Sequence, residues 1–137
     1  EPEGGTDLPA AARMMAAPGA HRGPVVLVSD LLAPGWEQAV DLLGTVGGGV
    51  VVHVLSPAEL DPDFTGDLTL RDAETKAEVP VSVSDAAVAR YRQRMDAFQA
   101  DAARRARRVR MEYIRVLARP EALEGALREL VAAGVVR

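Results

Sequence analysis

The sequence has no cysteine, which excludes disulfides, Cys-ligated zinc and thiol catalysis together and fits a reducing compartment. Histidine is scarce as well. His21 and His53 are the only two, and neither a histidine metal cluster nor a Ser/His/Asp arrangement can be assembled from them. No apolar run approaches the roughly 20 residues that cross a bilayer. The acidic, glycine-rich start, Glu1 to Gly5, lacks the basic and apolar regions of a signal peptide. These absences point to the cytoplasm, with any membrane contact left to segments outside this chain. An excess of positive charge is missing too: the formal net charge is −4, against the phosphate neutralisation that nucleic-acid binding needs.

What remains is a chain of 137 residues, 48% of them hydrophobic, which suits one domain with its own core and is short for two. It starts without Met, as a processed or excised piece would. Lys76 is the only lysine, and much of the arginine is bunched between Arg90 and Arg110.

The centre of the pattern is Pro24-Val25-Val26-Leu27-Val28-Ser29-Asp30. An apolar, β-branched run without polar alternation predicts a strand buried on both faces, in the middle of a parallel sheet covered by helices. Ligands of such sheets bind at the carboxyl ends of the strands, which places Asp30 at the functional edge. Asp is also a common turn initiator, so the plainer reading is that Asp30 caps the next turn.

Thr6 or Asp7 caps a first helix that Pro9 helps to open, with Leu8, Ala12 and Met15 near one face, and Pro18-Gly19 ends it. Pro34-Gly35 opens a second helix in which Trp36, Ala39, Val40 and Leu43 share a face. Gly47-Gly48-Gly49 then turns into the strand Val50 to Leu55, completing a strand-helix-strand crossover. Ser56 to Asp63 reads as a loop. From Gly66 to Val83 the apolar period becomes two, with Leu68 and Leu70, then Val79, Val81 and Val83, around a turn at Asp72 to Lys76. That is a half-exposed antiparallel hairpin inserted into the α/β pattern. Ser84 and Asp85 start the longest helix, to about Arg108, with Val88, Tyr91, Met95, Phe98 and Ala102 as a narrow apolar stripe. Met111 to Leu117 makes a third parallel strand. A last helix from Pro120 buries Leu123, Leu127, Leu130 and Val131 and stops at Gly134.

Chemistry is harder to find. Gly47-Gly48-Gly49 precedes a strand instead of following one and lacks the Lys of a phosphate-binding loop, so it reads as a tight turn. His53 lies inside a strand and reads as a satisfied core or sheet-face histidine ahead of a catalytic base. The cations Arg104, Arg105, Arg107 and Arg108 suit the negative end of the long helix. They form either a solvated helix end, the favoured reading, or a docking surface for an acidic partner. Asp30 at a strand end also suits a magnesium-dependent phosphoryl acceptor, although the lysine such sites need would be Lys76, in the hairpin turn.

Two pieces together resemble a known family. Gly4-Gly5-Thr6-Asp7-Leu8 with a small-residue helix, then Val25 to Asp30, looks like the second half of a von Willebrand factor A domain. The further order Val54-Leu55-Ser56-Pro57-Ala58-Glu59-Leu60-Asp61, Gly66-Asp67-Leu68-Thr69-Leu70-Arg71-Asp72-Ala73-Glu74-Thr75 and Ala89-Arg90-Tyr91-Arg92 resembles the bacterial domain of unknown function fifty-eight. The resemblance covers nearly the whole chain. It implies a three-layer, Rossmann-like A-type domain over residues 1–137, and partnership with MoxR-type AAA+ ATPases without enzymatic activity. Such domains hold a divalent cation through an Asp-x-Ser-x-Ser loop, a Thr and an Asp. On that pattern Thr6 and Asp30 would be metal ligands, and their oxygens suit Mg2+. This chain has no Asp-x-Ser-x-Ser, so the expectation is a domain lacking its first strands and a metal site completed elsewhere. In the family fold the missing strand lies beside Val25 to Asp30. That edge is therefore expected to be covered by the rest of the domain or by a second copy of the chain.

Overall fold

A computed structural model describes residues 6–20, 23–63, 65–71 and 76–119, with residues 125, 128, 131, 132 and 134 near the carboxyl end. Its elements follow in the order α1 (Leu8–Ala16), β1 (Val25–Ser29), α2 (Trp36–Gly44), β2 (Gly49–Leu55), α3 (Pro57–Leu60), β3 (Gly66–Arg71), β4 (Glu78–Val83), α4 (Asp85–Arg108) and β5 (Met111–Leu117). β1, β2 and β5 form a parallel sheet in the order β1-β2-β5, and β3 and β4 form a separate antiparallel pair. The parallel α/β sheet with an inserted hairpin is therefore present as the residue pattern predicts. The turn expected at Asp72 to Lys76 and the helix expected from Pro120 fall largely outside the described residues.

The centre of the sheet is β2, not β1. Val50, Val51, Val52 and His53 are buried in succession, as a strand covered on both faces requires. β1 instead alternates. Val25 is buried, whereas Val26 and Val28 are 43% and 62% exposed. The apolar run there reflects a strand with one covered face and one uncovered face, at the rim of the sheet. Among the described residues it pairs only with β2.

The helices explain which face is covered. Ala12 of α1, Trp36, Ala39, Val40 and Leu43 of α2, and Ala102 and Ala106 of α4 pack in one core with Val25, Val51 and Met111. The other face carries Val50, Val52 and Ile114, with Val54 and Val116 partly buried against them. The described helices that reach the sheet thus form one layer over one face, where three layers are expected from the resemblance. Alternation along β2 divides its residues between the two faces.

Local signals account for the element ends. The Asp7 carboxylate accepts from the Ala10 N–H at 2.8 Å, so Asp7 and not Thr6 is the N-cap of α1. Ser84 caps α4 through the Ala87 N–H. Gly49 is required by its surroundings: its φ is +157°, and a Cβ there would stand 2.0 Å from the Val25 carbonyl oxygen of the adjacent strand.

Four sequence expectations need correction. Ser56 to Asp63 is not all loop, because Pro57–Leu60 is a helical turn closed by a capping box between Ser56 and Glu59. In the α4 stripe Tyr91 is 38% exposed, since its hydroxyl reaches out to donate to the Glu59 carbonyl at 2.7 Å. Val131, expected to be buried, is 54% exposed. Two of the arginines at the end of α4, Arg105 and Arg108, are not simply solvated. Arg105 and Arg108 both hold Asp41 of α2, at 2.7 and 3.0 Å, and the Arg105 guanidinium lies 5.9 Å from the centre of the Trp36 ring.

Candidate functional site

The carboxyl end of β1 builds a short, highly determined loop. Ser29 closes the strand, and its Oγ accepts from the Leu31 N–H at 3.0 Å. Asp30 Oδ1 accepts from the Leu32 N–H, also at 3.0 Å, an Asx-type turn that confirms the capping role of this side chain. Between them Leu31 has a positive φ of 59° while its side chain is almost wholly buried. A non-glycine residue rarely adopts this backbone without surrounding constraints.

The strongest of those constraints comes from β2. Parallel pairing sets Ser29 beside His53 and His53 beside Arg115, so the imidazole lies directly below the loop. His53 Nε2 is 3.0 Å from the Asp30 carbonyl oxygen, and Nδ1 is 2.7 Å from the Tyr113 hydroxyl. A carbonyl can only accept, which assigns the proton to Nε2. Burial holds the His53 pKa below its ordinary value, against the opposing influence of the Asp30 carbonyl and the nearby acids Asp30 and Glu59. The ring is therefore neutral, Nδ1 is an acceptor and Tyr113 donates to it. Burial likewise raises the Tyr113 pKa, with Arg115 opposing. Phe98 and Tyr113 meet the imidazole edge to face, at 5.6 and 5.9 Å between ring centres. Arg115 donates to Gln99 Oε1 at 3.0 Å, and the buried Gln99 Nε2 has no partner among the described residues.

Above this support lies an open cleft of about 770 Å³, lined by Thr6, Leu8, Val28, Ser29, Asp30, Leu32, Ala33 and Pro34. Thr6 reaches it because the Asp7 cap fixes the chain one residue later. The two residues expected as metal ligands thus line one cleft. Their oxygens, with that of Ser29, are hard donors of the kind magnesium takes. Among the described residues no three His, Cys, Asp or Glu side chains come together as a metal-holding group. Among the described residues Asp30 is the only ionisable side chain in the lining.

A second groove, of about 460 Å³, lies between α3, the end of β4 and the start of α4, with Ala58, Pro62, Val83, Val88 and Tyr91 in its walls. Tyr91 and the Arg92–Asp61 ion pair tie its two sides together. His21 and the glycines before Thr6 lie outside the described residues.

Sequence reasoning placed His53 in the core correctly but missed what it holds. The available signal was register: once β1 and β2 are parallel neighbours, His53 falls beside Ser29 and next to the Asp30 loop. The strained Leu31 left no sequence signal.

Among the described residues no helix is long and apolar enough to cross a membrane. No solved structure matches the chain. It is similar to "Uncharacterized protein MAV169" of Mycobacterium avium, 31% identical over 70 residues, which are 50% of this chain and only 41% of that protein. The family model described as "Protein of unknown function DUF58" matches residues 1–116. With that match spanning the α/β sheet and the hairpin alike, the chain belongs to the DUF58 family.

Proposed function

We propose that this chain is a non-enzymatic protein-interaction module of von Willebrand factor A type, working in the cytoplasm as the partner of a MoxR-type AAA+ ATPase. The observation that carries the reading is the cleft at the end of β1, which Thr6 and Asp30 both line and whose Asp30 loop is held from below by His53. Membership of the DUF58 family supports the choice of partner through the family resemblance. In this reading Thr6 and Asp30 help to hold a divalent cation, and residues from outside this chain complete its shell. Bound magnesium supplies an open coordination place that a carboxylate of the partner fills. The Asp30 oxygen not engaged by Leu32 is the one free to serve. His53 and Tyr113 keep the loop in place and exclude water beneath it.

The test is a binding measurement between the immobilised chain, or its full-length parent, and the purified MoxR-type ATPase of the same genome. Binding is expected in magnesium and is expected to weaken about tenfold or more with chelator or with Asp30→Ala. Equal affinity in all three conditions removes the cation from the interface, and absence of binding removes the partner. Turnover of a phosphorylated probe that vanishes in Asp30→Asn would instead establish the phosphoryl-transfer alternative.

A further inference from the structure

The outward face of α4 carries charge that the fold does not use. Opposite its buried residues Val88, Gln99, Ala102 and Ala106, helical spacing aligns Arg90, Arg94, Ala97, Asp101, Arg104 and Arg108, with Ala100 and Arg107 beside them. The arginines of this stripe and both alanines are exposed. α4 holds seven arginines and three aspartates, a surplus of four positive charges, so the rest of this chain of net charge −4 carries −8. Acids elsewhere in the fold neutralise little of that surplus. Arg105 and Arg108 share Asp41, and Arg92 holds Asp61. Arg104 meets Asp101 of its own helix at 3.0 Å. Arg90, Arg94 and Arg107 have no hydrogen bond or ion pair among the described residues. The helix dipole accounts for cations in the last turn, such as Arg105, Arg107 and Arg108. It does not account for Arg90 and Arg94, in the first half of the helix.

The shape of this face suits a chain of carboxylates. Arg90 and Arg107 stand about 26 Å apart along the helix axis, and between them Ala97 and Ala100 keep the surface low enough for another backbone to approach. An open hollow of about 250 Å³ among Asp101, Arg104, Arg105 and Arg108 has room for one acidic side chain. Guanidinium groups pair with carboxylates through two parallel hydrogen bonds, which adds geometry to attraction. We propose that the outward face of α4 docks an acidic segment of a partner protein, which runs along the helix with its carboxylates on Arg90, Arg94, Arg104 and Arg107. Nucleic acid fits the face less well. Asp96 and Asp101 would oppose its phosphates, and Tyr91, the exposed aromatic residue of α4, is tied to the Glu59 carbonyl instead of standing free to stack on a base. A membrane fits less well too, since the stripe offers no large apolar side chain to enter lipid. None of these residues lines the Asp30 cleft, so the contact does not depend on a cation held there.

Fluorescence anisotropy on the 137-residue chain tests this, with a labelled peptide repeating Glu-Glu-Ala-Ala over the length of the stripe as the probe. Binding is expected at low salt and should fade as salt is raised. Arg90→Glu with Arg94→Glu, and separately Arg104→Glu with Arg107→Glu, should each weaken it about tenfold or more. Arg13→Glu with Arg119→Glu makes the same change in net charge away from α4 and should alter affinity less than about twofold. Arg90→Lys, Arg94→Lys, Arg104→Lys and Arg107→Lys together keep every charge but lose the paired hydrogen bonds, and should weaken binding about threefold or more. Circular dichroism checks that each variant folds, and the lysine variant keeps the test decisive if a charge reversal does not. Absence of binding at low salt, equal losses in the stripe and control variants, or full affinity in the lysine variant would overturn the proposal. So would tighter binding of an oligothymidylate or of phosphatidylserine vesicles than of the peptide, since either makes phosphate the ligand.

Discussion

His53 Nε2 donates to the backbone carbonyl of Asp30 at 3.0 Å, so a side chain with no access to solvent holds the loop that opens the cleft. Replacing it by Ala leaves the Asp30 carbonyl without its donor, the Tyr113 hydroxyl without its acceptor, and a void beside Phe98. The expected cost is about 2–4 kcal/mol, read as a lower midpoint in urea unfolding. Asp30→Ala lacks the cavity and should cost about 1 kcal/mol or less. Equal losses in the two variants would contradict this account.

Acid should weaken the fold through the same histidine. Its folded pKa lies below the ordinary 6.5, so above pH 6.5 both folded and unfolded chains carry it neutral and its contribution is complete. As the pH falls below 6.5 the unfolded chain takes up the proton first, and stability declines toward the folded value. Tyr113 acts in the opposite limb. Its pKa is raised above 10.0, so its contribution is complete below pH 10 and fades as the pH climbs past it. Unfolding midpoints between pH 5 and 8 should slope downward on the acid side, and His53→Gln should flatten that slope.

Gly47, in the turn into β2, and Gly49, the first residue of β2, should respond differently to alanine. At Gly49 the new Cβ would run into the Val25 backbone, where nothing flexible can yield. A loss of about 3 kcal/mol or more is expected. Gly47 also has a positive φ, but open space surrounds it. Gly47→Ala should cost only about 1 kcal/mol. Thermal melting of both variants checks the order.

Asp41 joins α2 to α4 through two arginines. These groups are half-exposed, so Asp41→Ala should cost only about 0.5–1.5 kcal/mol. Part of that loss should disappear in 1 M salt, where the screening length shrinks to about 3 Å. Arg105→Lys keeps the charge but loses the guanidinium that lies over the Trp36 ring, and it should recover only part of the coupling in a double-mutant cycle with Asp41.

Much of this architecture was legible because period and punctuation agreed. Trp36, Ala39, Val40 and Leu43 form the buried face of α2 as their spacing indicates. Gly66 to Val83 reads as a hairpin because its apolar period is two, and α4 begins at the Ser84 cap and ends among its arginines. Strand position was not legible in the same way. Val25 to Val28 and Val50 to Val52 look alike as apolar runs, and only pairing decides that the second is central and the first lies at the rim. The short α3 helix was legible in principle, since Ser56-Pro57-Ala58-Glu59 has the spacing of a capping box with proline at its start. Thr6 and Asp30 line one cleft, and the His53–Asp30 hydrogen bond depends on strand register, which no single stretch of sequence reveals.

The long excursion between β2 and β5 also orders events in time. Residues 30–48 separate β1 from β2, whereas residues 56–110, including the hairpin and α4, separate β2 from β5. Closing the longer connection costs about 1 kcal/mol more chain entropy, and its contacts are the more distant in sequence. The β1-α2-β2 unit is thus poised to form early, with β5 zipping onto β2 as the slow closing step. Until it does, the central strand, with its run of buried valines, is itself a bare edge, and crowded refolding is most prone to mispairing in that interval.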